Sequence, residues 1–512
     1  MLYRSKKLPI LGNSARHGGK GHISLMCFHR QIPIIISALF SAFFSVQAVQ
    51  AQHIYIDPRA ETRFTVTDNA NLTTSDRLTD GVFNNAIGVN ARIDGARLRT
   101  SIDYSLDHFY FLSDGTDDYR QNLFGTLDAE VWKDHLVLNG RASLRQQFLD
   151  QRGSLSGSAA NRTTNRRLVQ TYTGTASFRA GLRDFADARI TYRYGIQKSP
   201  ADDLTDTTLP INFSDSTSHE INASIDSGDR FNNFQWRLFA NSSRVFRNLD
   251  VNDFRNERAG GEVTLKFNRY FQLIGNINYS RNDFQSDVLS EDGFGWEAGF
   301  RWTPGRKLDL TFTAGKEGNR EVYYASLQHF FTIRLSFTGS YTDTITANTI
   351  VGNDGLNSLR FDEEFGIVNN ETLPIDETDP NFSFSDLDFR RRAFVGTFNL
   401  QQKRTRHFLT GNYELRTFDN NTGTGRAWGV TYGVNRKIND KAELSARLSY
   451  RQSLFEDGVR VDNFIVGNVT WSKRLSKRFR LALSFDHSQR QSNSDGGDLM
   501  ENAATLYLRG TF

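Results

Sequence analysis

Ala504-Thr505-Leu506-Tyr507-Leu508-Arg509-Gly510-Thr511-Phe512 closes the chain, and its rhythm decides the fold. Ala504, Leu506, Leu508, Gly510 and Phe512 share one parity, while Thr505, Tyr507, Arg509 and Thr511 share the other. Successive strand residues point to opposite faces, so the stretch predicts a β-strand with one greasy and one wet face. The same two-residue period recurs from Ala60 onward. Alternation sustained that long, ending on a strand-terminal Phe, predicts an all-β fold: a transmembrane antiparallel up-and-down β-barrel of the bacterial outer membrane. Leu506, Leu508 and Phe512 are then the expected C-terminal signal for the barrel assembly machinery.

Upstream strands repeat the pattern. Phe83, Ile87, Val89, Ala91 and Ile93 oppose Asn84, Asn90 and Arg92, and Asp94-Gly95 supplies a tight turn. Ala442, Leu444, Ala446, Leu448 and Tyr450 oppose Lys441, Glu443, Ser445, Arg447 and Arg451. Short turns, such as those near Arg183-Asp184, Asn268-Arg269 and Asn439-Asp440, alternate with long polar loops near 150–166, 195–215, 345–388 and 488–499. Outer-membrane barrels put short turns on the periplasmic side and long loops outside. The count is about 22 strands, within a range of about 20 to 24, with both termini periplasmic.

Composition agrees. The mean hydropathy of −0.52 excludes a helical membrane protein, whereas a barrel shows lipid only every second residue. Residues 1–51 carry Arg4, Lys6, Lys7, Arg16, Lys20 and Arg30 and no acid, so the formal charge of +4 becomes −2 without them. That balance gives no case for nucleic acid. Residues 31–46 form the main apolar run, followed by Val-Gln-Ala triplets ending at Ala48 and Ala51. This predicts a signal peptide over 1–51, with Met26 as an alternative start, and a single barrel domain over 52–512. The one cysteine, Cys27, lies in the leader, which leaves the mature chain without disulfides, thiolate metal ligands or thiol catalysis.

An Arg or Lys facing mid-bilayer costs roughly 2–4 kcal/mol, so charge belongs on the lumen parity. The expected lumen-lining residues are Arg97, Arg99, Asp103, Arg141, Arg145, Arg189, Arg193, Glu297, Arg301, Glu443, Arg447 and Arg451. Such guanidinium forks either line a path for acidic sugars and phosphate-bearing polymers or pair with inward acids such as Glu130, Asp187 and Glu262 to stiffen the wall. Trp296, Trp302, Trp428 and Trp471 fall on the outward parity near strand ends, as interfacial girdles do. The loop Ile345–Asp388 holds ten acids against Arg360 alone. It has three readings: an inward constriction, a divalent-cation site bridging lipopolysaccharide, or a solvated external loop.

Enzyme signals are poor. Gly153–Gly157 has Leu155 where a nucleophile elbow needs serine, and His219-Glu220 lacks a second zinc-binding histidine. Asp107-His108 and Asp486-His487 lie on strands four spacings apart, about 20 Å, too far for one proton relay. No catalytic residue, cofactor or metal ligand is expected, and an outer-membrane hydrolase ranks below a channel or a structural, non-conducting assembly barrel.

Near the N-terminus, Tyr55-Ile56-Asp57-Pro58 leads to the run Glu61–Leu72, and a second unit spans Arg97–Phe111 around Ile102-Asp103-Tyr104-Ser105-Leu106. These resemble the PEP-CTERM (exosortase) system-associated outer-membrane barrels, and the layout is similar to β-barrel porins of exopolysaccharide loci. The resemblance implies an outer-membrane location and a role beside polysaccharide export components; the expected partners of such a barrel also include outer-membrane lipid and lipopolysaccharide. It carries no catalytic residues.

Overall fold

The computed structural model describes residues 53–163, 165–198, 215–248, 253–283, 292–362, 366–368, 388–419, 423–455 and 458–512. The expected signal peptide lies outside the described residues.

The wall opens with β1 (His53–Thr67), β2 (Asp80–Asp94), β3 (Leu98–Phe111), β4 (Asp117–Trp132), β5 (Leu136–Phe148), β6 (Arg166–Leu182), β7 (Ala186–Lys198) and β8 (Ser216–Ser227). It continues through β9 (Phe234–Arg247), β10 (Phe254–Lys266), β11 (Phe271–Asn282), β12 (Gly293–Gly305), β13 (Leu308–Glu317), β14 (Arg320–Phe330) and β15 (Leu335–Ala347). A helix, α1 (Asn348–Asn357), and a short pair, β16 (Arg360–Asp362) and β17 (Gly366–Val368), interrupt it. It ends with β18 (Asp388–Gln401), β19 (Thr405–Phe418), β20 (Thr424–Asn439), β21 (Ala442–Leu454), β22 (Val461–Arg474), β23 (Phe479–Ser492) and β24 (Leu499–Thr511).

All but β16 and β17 join one 22-stranded sheet, each strand antiparallel to its neighbours in sequence. β1 closes it against β24, from Arg59 opposite Thr511 to Thr67 opposite Ala503. The expected strand number therefore holds. The first strand begins at His53 rather than near Ala60. Residues 53–57 pair with β2 alone, while Pro58 stands opposite Phe512, accepts its N–H at 2.9 Å and, having no N–H to return, ends the β1–β24 ladder.

The parity reading places the faces correctly. Ile87, Ile277, Leu448 and Leu506 are exposed on the outer face, where bilayer replaces water. Aromatics gather at both ends of that face. Trp132, Phe178, Phe185, Trp302, Phe479 and Phe512 ring the periplasmic end, while Tyr119, Tyr192, Tyr279, Phe294, Trp296 and Trp428 ring the other. On β12, Phe294 and Trp302 are eight residues apart, about 20 Å along the membrane normal at a tilt near 40°, which matches an apolar band. The protein is a closed antiparallel barrel of the Gram-negative outer membrane.

Twenty-two strands enclose a lumen roughly 40–45 Å across between backbones, too wide for wall side chains to fill. The chain fills part of it with inserts of its own. The sequence predicts no helix of useful length, yet α1 forms at the start of the acidic loop. Its apolar residues, Ile350, Val351 and Leu356, are spread around the axis because neighbours surround it, so no amphipathic stripe announces it.

Candidate functional site

Eleven of the twelve predicted lumen residues lie on inward-facing strand positions. Arg97 is the correction: it sits in the β2–β3 turn, exposed, with Glu130 at 4.0 Å. A turn residue escapes the strand parity that would turn it inward.

The inner half of the lumen is wet. Arg301 donates to Asp309 at 2.6 Å with both side chains more than a third exposed. Arg141 meets Asp128 at 3.1 Å, and Arg99 and Arg189 are exposed. Small hydroxyls pair across strands here, including Ser101 with Thr126 and Thr397 with Thr410.

The outer half is packed, and two inserts do it. The β5–β6 loop, 149–165, folds inward. Leu155 buries against Phe148, Phe464 and Val466, and Ala160 against Val82, Phe109 and Phe111. Wall arginines hold the loop by its backbone carbonyls. Arg120 donates to Ala159 O at 2.6 Å and to Asn161 O at 3.0 Å, Arg166 to Ser158 O at 3.1 Å, and Arg460 and Arg490 to Arg152 O at 2.9 and 3.1 Å. Each loop carbonyl pulled from water needs a donor, and guanidinium supplies several in one plane. Glu501, 1% exposed, accepts from Thr67 at 2.7 Å and from Ser156. Arg451 reaches Gln151 at 3.0 Å. At the loop's outer edge Arg162 donates to Asp114 at 2.9 Å. That hydrogen bond holds the Asp114 carboxyl well below the usual carboxylate range.

The second insert is α1 with the tips of β15 and β18. Ile350 joins Ile345 and Ala347 against Val245 and Phe254 of β9 and β10. Val351 packs on Phe389 and Phe418, and Leu356 with Leu359 on Phe124 of β4. Polar contacts finish the seat. Arg193 donates to Glu220 at 2.8 Å and to Asp354 at 2.6 Å, Asn353 to Ser218 at 2.9 Å, and Arg247 to Asp388 at 2.6 Å. The loop's described start is therefore an inward constriction; most of its acids lie outside the described residues.

Between these, an ion network runs from Glu297 through Arg258, Glu317, Arg320 and Asp343 to Arg390, with links of 2.5 to 2.8 Å. Of the predicted set, Asp103 receives Arg59, Glu297 receives Arg258, and Arg193 and Arg451 hold the inserts. Glu443, Arg447 and Arg145 each have partners as well. Sequence reasoning missed Leu155, Ala160, Glu501 and Arg490. The available signal was apolar residues inside loops that are otherwise polar.

The rejected motifs have structural uses. His219 faces outward to the Tyr192 hydroxyl at 2.8 Å, whereas Glu220 faces inward to Arg193. His108 donates to Asp117 at 2.6 Å on the outer face, and His487 meets Asn502 at 2.8 Å. Among the described residues no three His, Cys, Asp or Glu side chains converge to hold a metal.

No known protein family and no curated protein matches this chain in sequence. Solved structures are similar in fold. The siderophore receptor PirA from Acinetobacter baumannii aligns with a TM-score of 0.49 at 10% identity, covering 91% of this chain and 81% of that one. The ferric enterobactin receptor PfeA from Pseudomonas aeruginosa, as its R480A mutant with enterobactin, gives 0.47 at 9% identity, covering 88% and 81%. A loop-deletion mutant of OmpT, an outer membrane protein of Vibrio cholerae, gives 0.32 at 9% identity, covering 90% and 100%.

Proposed function

We propose that this barrel is a gated outer-membrane channel, closed in its resting state by its own loop 149–165 and helix α1, and that its passenger is an extracellular polysaccharide. The observation that carries the reading is the contrast within one lumen. The inner half is hydroxyl-rich and wet, and it leads to an outer half into which two inserts of the same chain fold and pack. Both stoppers are tied to the wall by many polar contacts around small apolar clusters. Such ties release in parts, as a gate needs. Exposed Arg99, Arg189 and Arg301 on the inner half suit an acidic sugar chain, which guanidinium grips weakly and repeatedly when solvated. The resemblance to barrels of exosortase and exopolysaccharide loci supports the passenger class.

Single-channel recording of the full chain in planar bilayers tests the gate. The wild type is expected to stay mostly closed, and deletion of 348–387 together with Leu155→Asp to give a persistent large conductance. A folded double variant that never conducts overturns the channel and leaves the structural, non-conducting barrel in its place.

A further inference from the structure

The wall has one poorly laced seam. β14 and β15 share six rungs, from Ala325 opposite Tyr341 to Phe330 opposite Ser336, whereas every other pair of neighbouring wall strands shares at least nine. Above that ladder, Arg320–Tyr324 pair only with β13, and Thr342–Ala347 only with β18. Arg320 and Arg390, both on Asp343, close the gap with side chains, and Arg390 also donates to Glu321 O at 2.8 Å.

Beside the seam, the lipid-facing wall has an ordered pattern. Tyr341, Phe394, Tyr413 and Trp428 stand opposite one another on β15, β18, β19 and β20, forming one unbroken aromatic rung. Phe394, Tyr413 and Trp428 are exposed. One rung farther out on the same face come Arg392 and Arg426, on either side of Leu415. Two strand spacings separate them, about 10 Å. Asp343 stands opposite Arg392, but its oxygens are taken by Arg320 and Arg390. Among the described residues neither Arg392 nor Arg426 has an acid partner, and Arg392 Nε is buried with no acceptor. Elsewhere on this face Arg244 and Arg255 share Glu257 at 2.6 and 2.7 Å, while Arg281 and Lys316 are exposed singly, without an aromatic rung and a second cation beside them at this spacing.

We propose that this wall binds a glycolipid of the outer leaflet that carries two phosphates. Its phosphates sit on Arg392 and Arg426, and its acyl chains lie along the aromatic rung. The chemistry fits in three respects. The cations stand at the level where headgroups meet water, just beyond an interfacial aromatic belt. Their spacing suits two anionic groups on one disaccharide rather than a single phosphate. The rings below offer flat apolar surface facing the bilayer. Bound there, the lipid lies against the one stretch of wall whose outer edge is held by side chains alone.

Native mass spectrometry of the full chain tests this, with the probes bisphosphorylated lipid A, monophosphorylated lipid A and phosphatidylethanolamine. The wild type is expected to retain the bisphosphorylated probe at least ten-fold better than either other. The R392Q/R426Q double variant is expected to lose that preference, and R244Q/R255Q to keep it. Equal retention of all three probes by the wild type, or full retention by R392Q/R426Q, overturns the proposal. Displacement by glucosamine phosphate without acyl chains, at the same concentration as lipid A, also overturns it, because the site is then one for free anions. A heat-modifiable gel shift shows that each variant is folded. Conductance plays no part in this readout, so its result is separate from that of the gating experiment.

Discussion

Asp309 and Asp343 are both carboxylates of the barrel wall, and both are held by arginine, yet they live in different solvents. The side chain of Asp309, in the inner half, is 37% exposed beside Arg301. That of Asp343, in the outer half, is 0% exposed between Arg320 and Arg390. The difference teaches that a barrel's alternating rhythm fixes which way a side chain points but not how dry it becomes. Dryness is set by the inserts and by the infolded β15–β18 tips. Two ion pairs of equal geometry therefore differ in what their loss does.

The largest expected effect follows from that. Asp343→Ala removes the carboxylate shared by two largely buried guanidinium groups, leaving Arg320 with Glu317 and Arg390 with the Glu321 carbonyl, and is expected to cost about 3 kcal/mol. Its counterpart Asp309→Ala leaves a solvated arginine and is expected to cost no more than about 1 kcal/mol. Urea unfolding in lipid vesicles, followed by the heat-modifiable gel shift, measures both. Equal midpoints for the two variants would break the comparison between halves.

The next effect lies in the β5–β6 loop of the outer half. Leu155→Ala removes the apolar plug of loop 149–165 and is expected to weaken docking by about 2–3 kcal/mol. Protease cleavage within the loop is expected to speed up with the barrel left intact, and the fraction of time spent open to rise. Unchanged cleavage would mean that the arginine contacts, not Leu155, seat the loop.

The smallest effect concerns acidity. The carboxyl of Asp114 is held below its ordinary range by Arg162. A depressed carboxylate stabilises the folded state fully above its unfolded pKa and loses that contribution as pH falls through the folded value. Loop docking is therefore expected to be level from pH 7 to about 5 and to weaken only in stronger acid, below about 4. Asp114→Asn is expected to remove that acid limb. Cleavage of the loop as a function of pH checks it, and a transition near pH 6 would contradict the assignment.

How far the sequence carried this picture depends on the kind of information each part needs. The wall was legible because lipid penalises every wrong parity, so Arg193 inward and Ile190 outward are local facts repeated 22 times. The lumen residues were legible as a face but not as a depth. Arg301 and Arg193 read alike in the chain, and only the inserts separate a wet residue from a buried one. The inserts themselves were nearly silent. Leu155 and Ala160 lie in a loop of serine, glycine and arginine, and α1 has no apolar stripe, because each finds its partners on strands far away in sequence. The β14–β15 seam has no sequence signature either. It arises where Ile345 leaves the wall for Val245 and Phe254, a choice made in three dimensions.

A closed sheet normally offers nothing for a foreign strand to join. The overhang of β1 past the end of β24 is a departure, since His53–Asp57 run on with β2 alone beyond the bond from Phe512 N to Pro58 O. An unfinished border of that kind invites strangers to add themselves, one backbone rung at a time. Pro58 stands at the point where such an addition would have to continue from the native ladder. Having no hydrogen to offer, it interrupts the stitching, and the barrel faces its own compartment with a hem that does not take another thread.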